Sequence, residues 1–125
     1  MPRVLLVAVI IILSFAFGTK AFADRESEHD KIVYLLNTVG SSDLVFIRNG
    51  AEHNGKEAKA HLQQKLDTVG FLIHTAEDFI NYIGSASSIT GTPYYVRLAD
   101  GTQMKAGDWM RVVLVGMNEK KDSHN

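Results

Sequence analysis

Glu57, His61 and Lys65 follow one another at intervals of four residues, so on a helix all three lie along one side. One reading is a solvated ladder of opposite charges, which stabilises a helix by about 0.2–0.5 kcal/mol per pair. The other is chemical: Glu57 orients and polarises His61, and His61 lines a cleft as a general base or hydrogen-bond donor. His53 adds a second imidazole, and with Glu57 and His61 it offers nitrogen and oxygen ligands of the kind zinc accepts. The spacing matches none of the stronger zinc motifs, and His53 precedes the residue that caps the helix. No metal and no cofactor is therefore expected.

A second group is rich in hydroxyls. Ser85, Ser87, Ser88 and Thr90 crowd a short loop before Pro93. A serine nucleophile needs a base within hydrogen-bond reach and an oxyanion site. His61 or His74 qualifies as that base only if the fold brings it close. Neither a G-x-S-x-G elbow nor an S-x-x-K motif is present. The plainer reading is a turn whose hydroxyls satisfy their own backbone, with Pro93 fixing the entry to a strand. Arg48 and Asn49 form a third group. Arginine offers a fork for carboxylate or phosphate, and could equally anchor a nearby helix C-terminus. Trp109, Tyr94 and Tyr95 read as packing residues.

These groups need elements to hold them. Ile32, Leu35, Leu36 and Val39 form one apolar stripe on a helix from about Glu26 to Val39, with Ser27 and Asp30 as an N-cap pair and Gly40 following as the C′ residue. Leu44–Ile47 is an apolar run of strand length, ended by the tight-turn signal Asn49-Gly50. Asn54 caps a second helix with Ala58, Leu62, Leu66 and Val69 on its apolar face, stopped by Gly70. Thr75 opens a third helix, with Glu77 and Asp78 in its first turn and Phe79, Ile80 and Ile83 as its buried face. Tyr94–Leu98 has strand composition, and Asp100-Gly101 is a turn. Asp108–Met117 could be helix or strand; Asp108 as a cap favours helix. The expectation is an α+β fold: one small domain of about four helices on a short two-stranded antiparallel sheet. If Leu44–Ile47 and Tyr94–Leu98 pair antiparallel, the chain leaves one strand at Arg48 beside the point where it enters the other at Tyr94. Arg48, Asn49, Glu57, His61, Ser87, Ser88, Thr90 and Tyr94 should then converge on one face, the candidate binding surface.

Composition narrows the function classes. The chain has 125 residues, enough for one domain with one modest core. Arg3, the apolar run Val4–Phe17 and Ala21-Phe22-Ala23 have the order of a cleavable signal peptide, predicted to span 1–23. The run is shorter than the roughly 20 residues that span a bilayer comfortably, although an uncleaved anchor is the alternative. Cleavage leaves one domain over 24–117 and a disordered polar tail over 118–125. The formal charge is −1 and becomes more negative without Arg3 and Lys20, which gives no reason to expect nucleic-acid binding or, after cleavage, membrane binding. The chain has no cysteine, so thiol chemistry and disulfides are excluded.

Four ordered motifs carry a resemblance. They are Phe46–Gly50; Glu57-Ala58 with His61-Leu62 and Lys65-Leu66; Thr75–Ile80; and Ser87–Gly91 with Pro93-Tyr94. Together they resemble the YfeK-like family of small exported proteins of Gram-negative bacteria, over about Glu28 to Trp109. The segment after Gly101 departs most. The resemblance implies a periplasmic location and a domain of unknown function, with no assigned catalytic residue or ligand. Its pattern is matched at Arg48, Asn49, Gly50, Glu57, His61, Ser88, Gly91 and Tyr94. Two functions then compete. The first is a non-enzymatic binding or interaction module for an unknown small molecule or a periplasmic protein. The second is a small hydrolase or transferase using Glu57 and His61 with a hydroxyl from the Ser85–Thr90 loop.

Overall fold

The computed structural model describes residues 27–125; the signal peptide expected over 1–23 lies outside the described residues. Helix α1 occupies 27–41, with Ile32, Leu35, Leu36 and Val39 all buried, as their spacing requires. Gly40 falls inside this helix rather than after it, pressed against the Lys59 side chain. β1 is Val45–Arg48 and β2 is Ala51–His53. Helix α2 is Gly55–Val69, followed by a 3-10 turn over Gly70–Leu72. Helix α3 begins at Ala76–Phe79 and widens into a π-helical turn over Ile80–Gly84. β3 is Tyr95–Arg97, β4 is Gln103–Lys105, and helix α4 is Ala106–Ser123.

The sheet has four antiparallel strands in the order β2-β1-β3-β4, not two. The central pair is the expected one, with Phe46 opposite Val96 and Ile47 opposite Tyr95. The edge strands are short and polar, so nothing in Ala51-Glu52-His53 or Gln103-Met104-Lys105 marks a strand by composition. Turn chemistry creates them. Asn49 (φ 51°) and Gly50 (φ 78°) both take the left-handed conformation of a two-residue hairpin turn, which folds β2 back on β1. A different turn folds β4 back on β3: Gly101 (φ 87°) alone is left-handed, Asp100 Oδ1 accepts from the Thr102 amide, and Gly101 N–H returns to Leu98 O.

The core lies where α1, α2, α3 and α4 meet the Phe46–Val96 face. Phe79, Leu35, Ile80, Ile83, Met110, Val39 and Val96 are its fully buried side chains, and Trp109 meets Phe46 edge to face with centroids 5.6 Å apart. The caps follow the sequence closely. Asn54 Oδ1 accepts from Glu57 N–H at 2.8 Å. Thr75 and Asp78 form a full capping box, and Glu28 reaches across from α1 to accept the Ala76 amide at 2.8 Å. Two expectations at the C-terminus give way. Asp108 is no cap; it sits in the first turn of α4 and pairs with Arg111. The segment expected to be disordered from 118 continues α4 to Ser123, because the buried face Ala106, Met110 and Met117 anchors the helix and carries the polar turns beyond it. No helix among the described residues is long and apolar enough to cross a membrane.

Candidate functional site

Arg48 ends β1, and the Asn49-Gly50 turn brings the chain back so that α2 starts beside it. His61 lies two turns into α2. The Arg48 guanidinium meets the edge of the His61 ring, its Nη1 at 2.5 Å from Nδ1 and 2.8 Å from Nε2. Arginine can only donate, so the ring nitrogen facing it must present a lone pair and His61 is neutral in this arrangement. Burial lowers the His61 pKa, and the nearby charges of Arg48, Lys65 and His53 push the same way. The ring also lies 3.3 Å from the Tyr94 hydroxyl through Nε2.

Lys65, one turn further along α2, points into the fold. Its ammonium donates to Ile83 O at 2.9 Å, Ala86 O at 3.1 Å and Tyr94 Oη at 3.3 Å. The Ile83 carbonyl belongs to the π-helical turn, whose wider winding is itself a feature often seen at functional sites. Ser85 Oγ closes that turn by donating to Ile80 O at 2.6 Å. Burial lowers the Lys65 pKa and Arg48 lowers it further, while burial raises that of Tyr94. Lys65 lies 5.1 Å from the Tyr94 ring centre, so the ring shares in holding the cation.

The expected ladder of Glu57, His61 and Lys65 does not form. Glu57 instead takes the His53 ring, with Oε2 at 3.0 Å from Nδ1, and Lys65 bonds backbone carbonyls. Among the described residues no three His, Asp or Glu side chains come together as a metal-ligand set. Of the two alternatives for Arg48, an anchor at a helix C-terminus is not what forms among the described residues, since its partner is His61.

The hydroxyl loop is a closed hairpin. Ala86 and Pro93 form a bridge, and Ser87 N–H bonds Thr92 O at 3.0 Å. Ser87 is buried and its Oγ accepts from the Ile89 and Thr90 amides, the self-satisfying turn that its composition suggests. Thr90 Oγ1 donates to Asn49 Oδ1 at 2.9 Å, which ties this loop to the β1–β2 turn. His61 takes its hydrogen bonds from Arg48 and Tyr94 rather than from a loop hydroxyl.

Two hollows adjoin here. An open cleft of about 470 Å³ is lined by Arg48, Asn49, His61, Lys65, Ser87, Ser88 and Tyr94, together with Gln64, Thr68, Val69 and Ile89. A smaller cavity of about 130 Å³ is lined chiefly by Phe46, Ala58, Leu62, Tyr95, Ala106 and Met110, with His53 and Glu57 at one side. Arg48, His61 and Tyr94 line both and form the wall between them. Six of the eight expected surface residues thus cluster directly about the cleft or its wall, Thr90 joins through Asn49, and Glu57 faces the smaller cavity instead. Sequence reading left out Lys65 as a site residue, although its place on the Glu57–His61 face of α2 was the available signal. It also missed the apolar cavity, whose lining, which includes Gly84 of the π-helical turn, comes from six separate elements.

A small α+β domain with a cationic cleft at the ends of its two central strands is what fold and site define together. The chain belongs to the DUF5329 family, a family of unknown function, which matches residues 26–118. It is similar to the uncharacterized protein YfeK of Salmonella typhimurium, at 38% identity over 95 residues, covering 75% of this chain and 77% of that protein. No solved structure matches this chain.

Proposed function

We propose that this is an exported, periplasmic, non-enzymatic binding module that captures a small anion in the cleft between Arg48 and the Ser87–Ser88 loop. The observation that carries the reading is Arg48. Of the three arginines among the described residues, Arg97 pairs with Glu52 and Arg111 with Glu77 and Asp108, whereas Arg48 meets only a neutral imidazole. Only its Nη1 is engaged, so most of a five-donor fork is left for a carboxylate or phosphate. No Asp or Glu lines the cleft. Lys65 spends its three donors inside the protein, so it contributes positive field rather than direct contact.

Catalysis is the weaker reading. His61 is held by a cation and a phenol, not by a nucleophilic hydroxyl, and Glu57 does not orient it. The binding reading is tested by titrating phosphate and acetate at constant ionic strength while following the His61 ring signals by NMR. Saturable shifts are expected, lost in Arg48→Gln; unsaturable drift in the wild type would refute the proposal. Export rests on the signal-like order of residues 1–23. Protein recovered from an expressing Gram-negative cell should begin at Asp24, and an intact Met1 in the membrane fraction would reverse that assignment.

A further inference from the structure

The cleft is far larger than a small anion needs. Its volume of about 470 Å³ is some fifteen times the ~30 Å³ share of one water, so acetate or phosphate at Arg48 leaves most of it unfilled. That volume falls within the range of about 300–1,000 Å³ found for small-molecule sites, and most of the wall is apolar, as in such sites. Both sides are preformed. One is α2, and the other is the loop closed by the Ala86–Pro93 bridge, which Thr90 ties to Asn49 at 2.9 Å.

Beyond Arg48 the polar groups of the wall are largely spent. Lys65 sends its ammonium inward to Ile83 O, Ala86 O and Tyr94 Oη, so what it offers the cleft is its aliphatic stem. Thr68 Oγ1 turns back to donate to Gln64 O at 2.9 Å. Ser87 Oγ holds the Ile89 and Thr90 amides. Val69 and Ile89 supply further apolar wall, and Ile89 is 96% exposed. Gln64 and Ser88 are exposed and keep their water. A polyhydroxylated ligand would therefore give up its own hydration for few partners. An extended peptide fares no better, because the loop backbone is paired with itself, Ser87 N–H on Thr92 O and Gly91 N–H on Ser87 O.

Resting on the anion-binding reading above, we infer that the ligand is a free, single-chain amphipathic acid of medium length. Its carboxylate takes the unused donors of Arg48, and its alkyl chain lies along α2 toward Val69, against the Lys65 stem and Ile89. The whole ligand stays within the cleft. Length agrees with this placement. From His61, where Arg48 docks, to Val69 is eight positions along α2, about 12 Å at ~1.5 Å per residue. An extended carbon chain advances about 1.25 Å per bond. Octanoate held by a hydrogen bond of ~2.8 Å therefore covers about the same 12 Å. Charge agrees too, since Arg48 stands at the His61 end and no carboxylate lines the cleft to repel the head group.

The test titrates acetate, butyrate, hexanoate, octanoate and decanoate into the intact domain at constant ionic strength, following the His61 ring and the Ile89 methyls by NMR. Full burial of a methylene gains about fourfold in affinity; a cleft open along one side buries about half, so each methylene should gain about twofold. Octanoate should then bind some sixtyfold more tightly than acetate, with the gain levelling off at decanoate. Octanol, which lacks the charge, should bind at least about tenfold more weakly than octanoate. Ile89→Ser removes no core packing, because Ile89 is 96% exposed, and should lower the octanoate-to-acetate ratio by about two- to fivefold. Saturable acetate binding with no gain along the series would overturn this inference and leave the anion site standing. Octanol binding as tightly as octanoate, or octanoate shifts that miss Ile89, would also overturn it. Failure of every acid to saturate would remove both readings.

Discussion

Gly55→Ala should destabilise the protein, although alanine is the better helix former. Gly55 is the first residue of α2 and is buried. A Cβ there would lie 2.3 Å from the carbonyl oxygen of Val39 and 2.7 Å from that of Ser42, both main-chain atoms at the end of α1. Ordinary carbon–oxygen approaches stop near 3.3–3.6 Å, so the two segments would have to separate by about 1 Å. Neither obstacle is a side chain that can swing aside. Moving the end of α1 also pulls Val39, which is fully buried, out of its packing. Overpacking of this kind costs roughly 1–3 kcal/mol, and a backbone obstacle places it near the upper end. Alanine returns at most about 1 kcal/mol of helix propensity. The net expectation is a loss of about 2 kcal/mol, or roughly 8–16 °C in Tm for a domain of this size. Gly116→Ala in α4 is the matched control, since a Cβ there meets nothing within 4 Å and should stabilise by up to about 1 kcal/mol. Urea denaturation with calorimetry measures both. A Gly55→Ala protein as stable as the wild type would refute the close approach of α1 and α2 that positions the whole site.

Two further outcomes follow from the caps and charges. Thr75→Ala should cost about 1 kcal/mol in the same denaturation assay, because it deletes the acceptor for Asp78 N–H while the Glu28–Ala76 contact persists. Stability should also depend on His61: its folded pKa lies below the unfolded value of 6.5, so its contribution is complete above pH 6.5 and is lost as pH falls through the lowered folded value. Denaturation midpoints measured from pH 8 to pH 5 should decline below 6.5 in the wild type and much less in His61→Gln. A decline of equal size in the variant would show that other groups cause it.

Much of the frame is legible in the chain because it depends on local rules. The apolar stripes of α1 and α3, the caps at Asn54 and Thr75, and the pairing of the two apolar strands all follow from periodicity and end chemistry. The edge strands are not legible, since three residues of which two are polar become a strand only when a turn presses them against a neighbour. The widened turn at Ile80–Gly84 is equally hidden. It arises where Ser85 closes on Ile80 O and where Gly84 lets Met110 approach, and the second contact requires α4 to be in place.

The site turns on a competition that spacing alone leaves undecided. Glu57 stands four residues from His53 and four from His61, and either imidazole could take its carboxylate. The fold decides in favour of His53, because the β1–β2 turn sets that ring beside the start of α2 while Arg48 occupies the edge of His61. The consequence is electrostatic. Had Glu57 joined His61, a carboxylate would stand beside Arg48 and the cleft would be close to neutral. With Glu57 held at the far side, Arg48 and Lys65 face the cleft with no carboxylate among its lining residues, and His61 stays uncharged between them. Two cations kept close to each other raise the free energy of the empty site, as the lowered pKa of Lys65 registers in part. An arriving anion relieves that repulsion as well as gaining contacts of its own. It would also raise the pKa of His61, so that anion affinity should increase as pH falls through the window between the free and bound values. Affinity that stays flat from pH 7 to pH 5 would place the anion away from His61 and break the link between this pairing choice and the site.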